Sequence, residues 1–156
     1  MREHNQPAKG YIMLVSQILK TKQQHDVVTV PPTMNISEAA RILSDKGIGT
    51  VVVSSDGKAV DGILSERDIV REIGARGAGC LSHTVASLMT SKIVTCKSND
   101  EADAILKQMT EGRFRHMPVV EEGALQGLIS LGDVVKARLM ELAMEKDALE
   151  GMIMGH

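Results

Sequence analysis

The chain has 156 residues, which fits one compact domain or two half-sized units sharing a core, since domains commonly run to about 100–200 residues, and leaves no room for a large enzyme. Apolar residues make up 43% of it, yet there is one Tyr, one Phe and no Trp, so Val, Ile, Leu, Ala and Met must build the core, and the aromatic platforms on which single-stranded nucleic acid stacks are missing. A formal charge of -2 and a pI near 6.2 provide no basic footprint for neutralising many phosphates, so nucleic acid is not expected as the main partner.

Met1 to Gly10 is polar, and the apolar run Tyr11 to Val15 is too short for a signal segment or a membrane span, so a cytoplasmic protein with no membrane attachment is expected. An apolar segment, Ile12 to Lys20, leads into a strand at Val27–Val30, rich in β-branched residues. Ile36, Ala39, Ala40 and Leu43 then recur at helical spacing behind a candidate cap, Asn35. Thr50–Val53 and Val60–Leu64 read as strands around an Asp56-Gly57 hairpin turn, and a helix opens at Ser65. Gly74 to Gly79 reads as a flexible connector and Val85–Met89 as a linker helix.

The same order then repeats. Val27-Val-Thr-Val30 returns as Ile93-Val-Thr-Cys96, an offset of 66 (Thr29 to Thr95). At that offset Ile48 to Val53 aligns with Phe114 to Val119. Gly62-Ile-Leu-Ser-Glu-Arg-Asp-Ile-Val70 faces Gly127-Leu-Ile-Ser-Leu-Gly-Asp-Val-Val135 at an offset of 65. In the second copy the helix carries Ala102, Ile105, Leu106 and Met109 behind Asn99 or Asp100 as cap. The strands are Ile93–Cys96, Met117–Val120 and Leu125–Ile129, with a turn at Glu122-Gly123 and a helix opening at Ser130. Each copy is a β-α-β-β-α unit of about 45 residues, too small to stand alone, so the two should pack together. A final helix runs from Asp133 toward Met152, with Val135, Leu139, Leu142 and Leu149 as an apolar stripe and Met144 nearby, a face suited to dimerisation.

The feature closest to chemistry is Ser65-Glu-Arg-Asp68 and its counterpart Ser130-Leu-Gly-Asp133, each at a strand end and helix start. Ser-x-x-Asp there is close to a capping box, and a single copy is explained by capping alone. Recurrence in both copies favours a second role, because backbone N–H groups and the helix dipole attract an anion at such a point, and a carboxylate there can accept both hydroxyls of a ribose. Cap and ligand site are compatible.

Other signals fail. Gly47-Ile-Gly49 follows a helix instead of a strand and has Val52 where a dinucleotide fingerprint needs Gly, and Gly77-Ala-Gly79 ends at Ser82 in a linker. His116 forms no recognisable triad with any Ser, Cys or carboxylate. Cys80 and Cys96 lack metal-ligand spacing and read as reduced thiols, so no metal is expected. The ten Met residues suit core and helix-seam filling.

The doubled β-α-β-β-α order, the two Gly-to-Val repeat ends and Arg113-Phe-Arg-His-Met-Pro-Val-Val120 together resemble a stand-alone pair of cystathionine β-synthase (CBS) domains, over about Gln17 to Arg138. The resemblance implies an α/β (α+β) fold in which residues 17–75 and 85–140 form two CBS units related by a pseudo-twofold axis, a Bateman module. Residues 76–84 would be the linker and residues 141–156 a C-terminal helix extension. It further implies clefts for an adenine nucleotide, AMP foremost, with ADP, ATP, NAD, NADH or S-adenosylmethionine as alternatives.

In such clefts Asp68 and Asp133 would bind ribose hydroxyls, and Ser65 and Ser130 would meet phosphate or cap the helix. Ile48, Gly49 and Thr50, with Val51, and Arg115, His116, Met117 and Pro118 would enclose adenine, with Thr29 and Thr95 beside each cleft. Arg67 supplies a cation in the first motif, whereas Leu131-Gly132 replaces it in the second, so charge there must come from Arg115, His116 or Lys20. The expected function is a non-enzymatic regulatory sensor, homodimeric and acting on a separate protein. The alternative is a nucleotide-independent dimerisation scaffold whose Ser-x-x-Asp sites only cap helices.

Overall fold

The computed structural model describes residues 12–22 and 27–153. Its elements are α1 (Val15–Thr21), β1 (Thr29–Val30), α2 (Ile36–Lys46), β2 (Thr50–Val53), β3 (Gly62–Ser65), α3 (Glu66–Arg76), α4 (Val85–Leu88), α5 (Ala102–Gly112), β4 (His116–Glu121), β5 (Ala124–Ser130) and α6 (Leu131–Ile153). The repeat is present, but compactness does not follow chain order. Residues 12–22, 96–119 and 128–153 form one unit, and residues 27–95 and 120–127 form the other.

In the unit holding most of the first repeat, β1 lies parallel to β2 (Thr29 opposite Val52) and β2 antiparallel to β3 (Thr50 opposite Ser65). Asn35 caps α2 by accepting the Glu38 N–H at 2.8 Å, and Gly47 ends it with a left-handed φ of 63°, a conformation cheap only without a Cβ. Ile36, Ala39 and Leu43 of α2 pack with Val51, Val53, Leu64, Ile69 and Val85. Val85 comes from α4, the short helix that precedes the second repeat.

The other unit is built the same way with the exchange reversed. Met13, Val15 and Ile18, around α1, pack with Ile105 and Met109 of α5, Met117 and Val119 of β4, Ile129, and Val134 and Ala137 of α6. Matching backbone bonds fix both exchanges. Val85 N–H donates to Met34 O (2.7 Å) and Ile36 N–H to His83 O (2.9 Å) in one unit, while Val15 N–H donates to Asp100 O (2.9 Å) and Ala102 N–H to Met13 O (2.9 Å) in the other. The helix before each repeat thus bonds to the opposite repeat.

Several expectations are corrected. The second copy's first strand, expected over Ile93–Cys96, shrinks to a single parallel bridge between Cys96 and Val119. Pro118 is the cause: its counterpart Val52 donates its N–H to Val28 O at 3.0 Å, whereas proline has no N–H to give. Asp100 does not cap α5, because Glu101 occupies that position without a side-chain bond, and Asp100 instead accepts the Lys97 N–H at 2.8 Å.

The supposed flexible stretch at Gly74–Gly79 is ordered as the last turn of α3 and the start of a 3-10 turn over Ala78–Ser82. Val60 and Asp61 lie in the first hairpin's turn, where Asp61 accepts from both the N–H and the hydroxyl of Ser55. The second hairpin is tight: Glu122 (φ 50°) and Gly123 (φ 77°) connect β4 to β5, as a type I′ turn requires.

Candidate functional site

Both Ser-x-x-Asp motifs form reciprocal caps. In the first, Ser65 N–H donates to Asp68 Oδ2 (2.9 Å) and Asp68 N–H to Ser65 Oγ (3.3 Å). In the second, Ser130 N–H donates to Asp133 Oδ2 (2.8 Å) and Asp133 N–H to Ser130 Oγ (3.1 Å). Each motif is tied to the residue just before β2 or β4 by an equivalent bond, Glu66 N–H to Gly49 O (2.9 Å) and Leu131 N–H to Arg115 O (2.7 Å). Gly49 and Thr50 thereby sit beside Ser65, and Arg115 beside Ser130. The carboxylates lie in the first turns of α3 and α6, where the helix dipole favours negative charge.

The two sites differ in charge. At Asp133, Lys22 Nζ lies 2.8 Å from Oδ2 and also donates to Leu128 O at 2.6 Å. Burial raises the Asp133 pKa, but the Lys22 and Ser130 hydrogen bonds together outweigh it and hold the carboxyl below its ordinary value. His116, at the start of β4, is partly buried. Its pKa is lowered first by that burial, then by the charge of Lys22 and, after the opposing pull of Asp133, by Arg115. His116 therefore lies within reach of the charges of Lys22, Asp133 and the exposed Arg115, and Lys22 is the cation paired directly with the Asp133 carboxylate.

At Asp68 the balance is different. Arg71 approaches it at 3.5 Å but is 74% exposed, so solvent screens that pairing. The Glu66 carboxylate lies over Gly49, with a Cβ placed there only 3.4 Å from Oε1, and it adds negative charge where the other site has Leu131. Arg67, expected as the cation, is exposed.

Among the remaining expected residues, Met117 is fully buried in its unit's core and Thr50 is buried, 7% exposed. Pro118 is also buried, Thr29 and Ile48 are partly buried, and Thr95 and Lys20 are exposed. Lys22, which the sequence pattern passed over, is the lysine at Asp133. As the C-cap of α1 it has extended backbone, φ -70° and ψ 134°, so helical spacing gives no hint of where its side chain goes. Among the described residues no group of His, Cys, Asp and Glu could hold a metal ion.

The family model for the CBS domain matches residues 15–75 and 85–140. The chain belongs to the CBS-domain proteins. It is 32% identical over 124 residues to the mitochondrial CBS domain-containing protein CBSX3 of Arabidopsis thaliana, a match covering 77% of this chain and 60% of that relative. The chain thus spans less than two thirds of that relative's length. The crystal structure of the CBS-domain protein ATU1752 from Agrobacterium tumefaciens is 47% identical, with a TM-score of 0.75 over 81% of this chain and 99% of that one. The CBS domain pair of protein MJ0100, solved with 5′-methylthioadenosine and S-adenosyl-L-methionine, shares the fold at 22% identity and a TM-score of 0.70, over 80% of this chain and 94% of that one. A tandem CBS module accounts for both repeats. No helix among the described residues is long and apolar enough to cross a membrane.

Proposed function

We propose that this CBS-domain protein is a regulatory sensor of adenine nucleotides, without catalytic activity, in which Asp133 accepts the ribose hydroxyls and Lys22 meets a phosphate. The observation that carries the reading is the Lys22–Asp133 pair, 2.8 Å apart at the N-terminus of α6, which offers a diol acceptor and an anion partner together. The adenosine-bearing ligands of the MJ0100 pair support the chemistry. Arg115 and the backbone of His116 to Pro118 would border the base, with Ser130 completing the cap. Ser65, Asp68, Thr29 and the Ile48–Thr50 backbone would form the counterpart site, weakened for anions by Glu66. Phosphate-bearing AMP, ADP, ATP or NAD is favoured over cationic S-adenosylmethionine at Asp133, since Lys22 and Arg115 repel a positive ligand. Cys80 and Cys96, buried and not joined in a disulfide, suit a reducing cytoplasm, and the apolar outer face of α6 suits a homodimer that acts on a separate target protein.

One observation favours a scaffold instead: both Ser-x-x-Asp motifs already satisfy their own caps. Thermal unfolding with AMP, ADP, ATP, NAD, NADH and S-adenosylmethionine separates the readings. A ligand at a hundred times its dissociation constant adds about 2.7 kcal/mol, so the sensor should show midpoints several degrees higher with phosphate-bearing ligands. Unchanged midpoints throughout would favour the scaffold.

A further inference from the structure

The inward face of α6 is set by Val134 (0% exposed), Ala137 (3%) and Glu141 (5%). On the other side Val135 (39%), Leu139 (62%), Leu142 (51%) and Leu149 (53%) stand in solvent, spaced by four, three and seven residues. That is the alternating seam of a two-stranded coiled coil, and Lys146 fills its missing position between Leu142 and Leu149. Isolated exposed leucines are ordinary, but a continuous stripe along one helix marks an interaction surface.

Charge decides what covers it. In a parallel pairing with a second copy, Lys146 would face the partner's Lys146 inside the seam and Glu145 would face the partner's Glu150, so both contacts repel. With the helices running in opposite directions about a twofold axis at Met144, Leu139 meets the partner's Leu149 and Leu142 meets the partner's Lys146. The lysine's methylene stem can cover that leucine while its ammonium stays wet. Lys136 then comes opposite the partner's Glu150, an attraction made twice. Glu145 approaches the partner's Glu145 near the axis, flanked by both Lys146 side chains.

We infer that α6 is the dimer interface and that it pairs antiparallel with α6 of a second copy of this chain. This rests on the homodimer reading above and adds the seam and its direction. Leu139→Cys and Leu149→Cys chains, co-expressed and mildly oxidised, should form an interchain disulfide, while either variant alone should not. In the antiparallel pairing, like positions are offset by ten residues, about 15 Å along the helix at 1.5 Å per residue, beyond the roughly 7 Å a disulfide spans between Cα atoms. Native Cys80 and Cys96 are buried, only 2% and 3% exposed, and the wild-type protein controls for them. Light scattering separates the failures: a monomeric wild type would overturn the homodimer reading itself. A dimer that cross-links in either variant alone, or not at all in the mixture, would overturn only the antiparallel seam. Should the substitutions disperse the dimer, adding Lys146→Leu to both chains restores apolar contact and the same outcomes apply.

Discussion

Burial, with the charges of Lys22 and Arg115, holds the His116 imidazole below its ordinary 6.5 against the pull of Asp133. As pH falls, the unfolded chain takes up this proton before the folded one. His116 therefore contributes stability that is complete above 6.5 and is lost as pH drops through the depressed folded value. Asp133 acts in the same direction at lower pH: its folded pKa lies below the ordinary 3.8, so its contribution is present above 3.8 and disappears as pH passes downward through the folded value. Urea unfolding across this range should show wild-type stability declining below pH 6.5, with a shallower decline in His116→Gln. Equal slopes in the two proteins would show that His116 is not held neutral by its surroundings.

At this scale the sequence was informative about groups whose partners lie close in the chain. Ser65 with Asp68, and Ser130 with Asp133, bond three residues apart, so their spacing alone pointed to the helix starts. Lys22 reaches Asp133 and the Leu128 carbonyl across more than a hundred residues, by way of a helix end that turns it out of register. Nothing local distinguished it from Lys20.

Among the elements, α1 and α6 are joined by a contact beyond the family match, which ends at residue 140. Glu141, 5% exposed, accepts the Met13 N–H at 2.6 Å and pairs with Arg138, which also lies 3.6 Å from Asp103 of α5. Hydrogen bonds to a charged group contribute about 1.5–3 kcal/mol. Glu141→Ala should therefore lower the unfolding midpoint by several degrees, and Glu141→Gln by less, because the amide oxygen can still accept from Met13. A midpoint within a degree of wild type for both variants would mean that the contact does not anchor α1.

The strands show why pattern and structure part. Pro118 was in plain view, and a missing N–H in a central strand is a readable sign that the Ile93–Cys96 pairing must fail, but the β-branched run masked it. Asp100 carried the right side chain for a cap, one position too early. The 3-10 turn after α3 replaced an expected flexible stretch because glycines at 74, 77 and 79 allow tight backbone as readily as loose.

Across the whole chain the repeat was legible because its motifs return at a constant offset. The exchange of α1 and α4 was not, because it depends on which repeat each preceding helix meets, a non-local choice that neither periodicity nor spacing records. A charge difference between the two sites was legible in Arg67 against Leu131-Gly132, but its sense emerged only in three dimensions, from Lys22 at Asp133 and from Glu66 over Gly49.

That difference carries the central claim, that the chain binds adenine nucleotides chiefly through Asp133 and Lys22. Isothermal titration of AMP into wild type, Asp133→Ala and Lys22→Ala tests it most directly. Loss of a charge-assisted contact at about 1.5–3 kcal/mol predicts affinity about ten- to a hundredfold weaker in Asp133→Ala, and a loss in Lys22→Ala that is absent when adenosine replaces AMP. Equal heats and affinities in all three proteins, or no binding to wild type, would contradict the account.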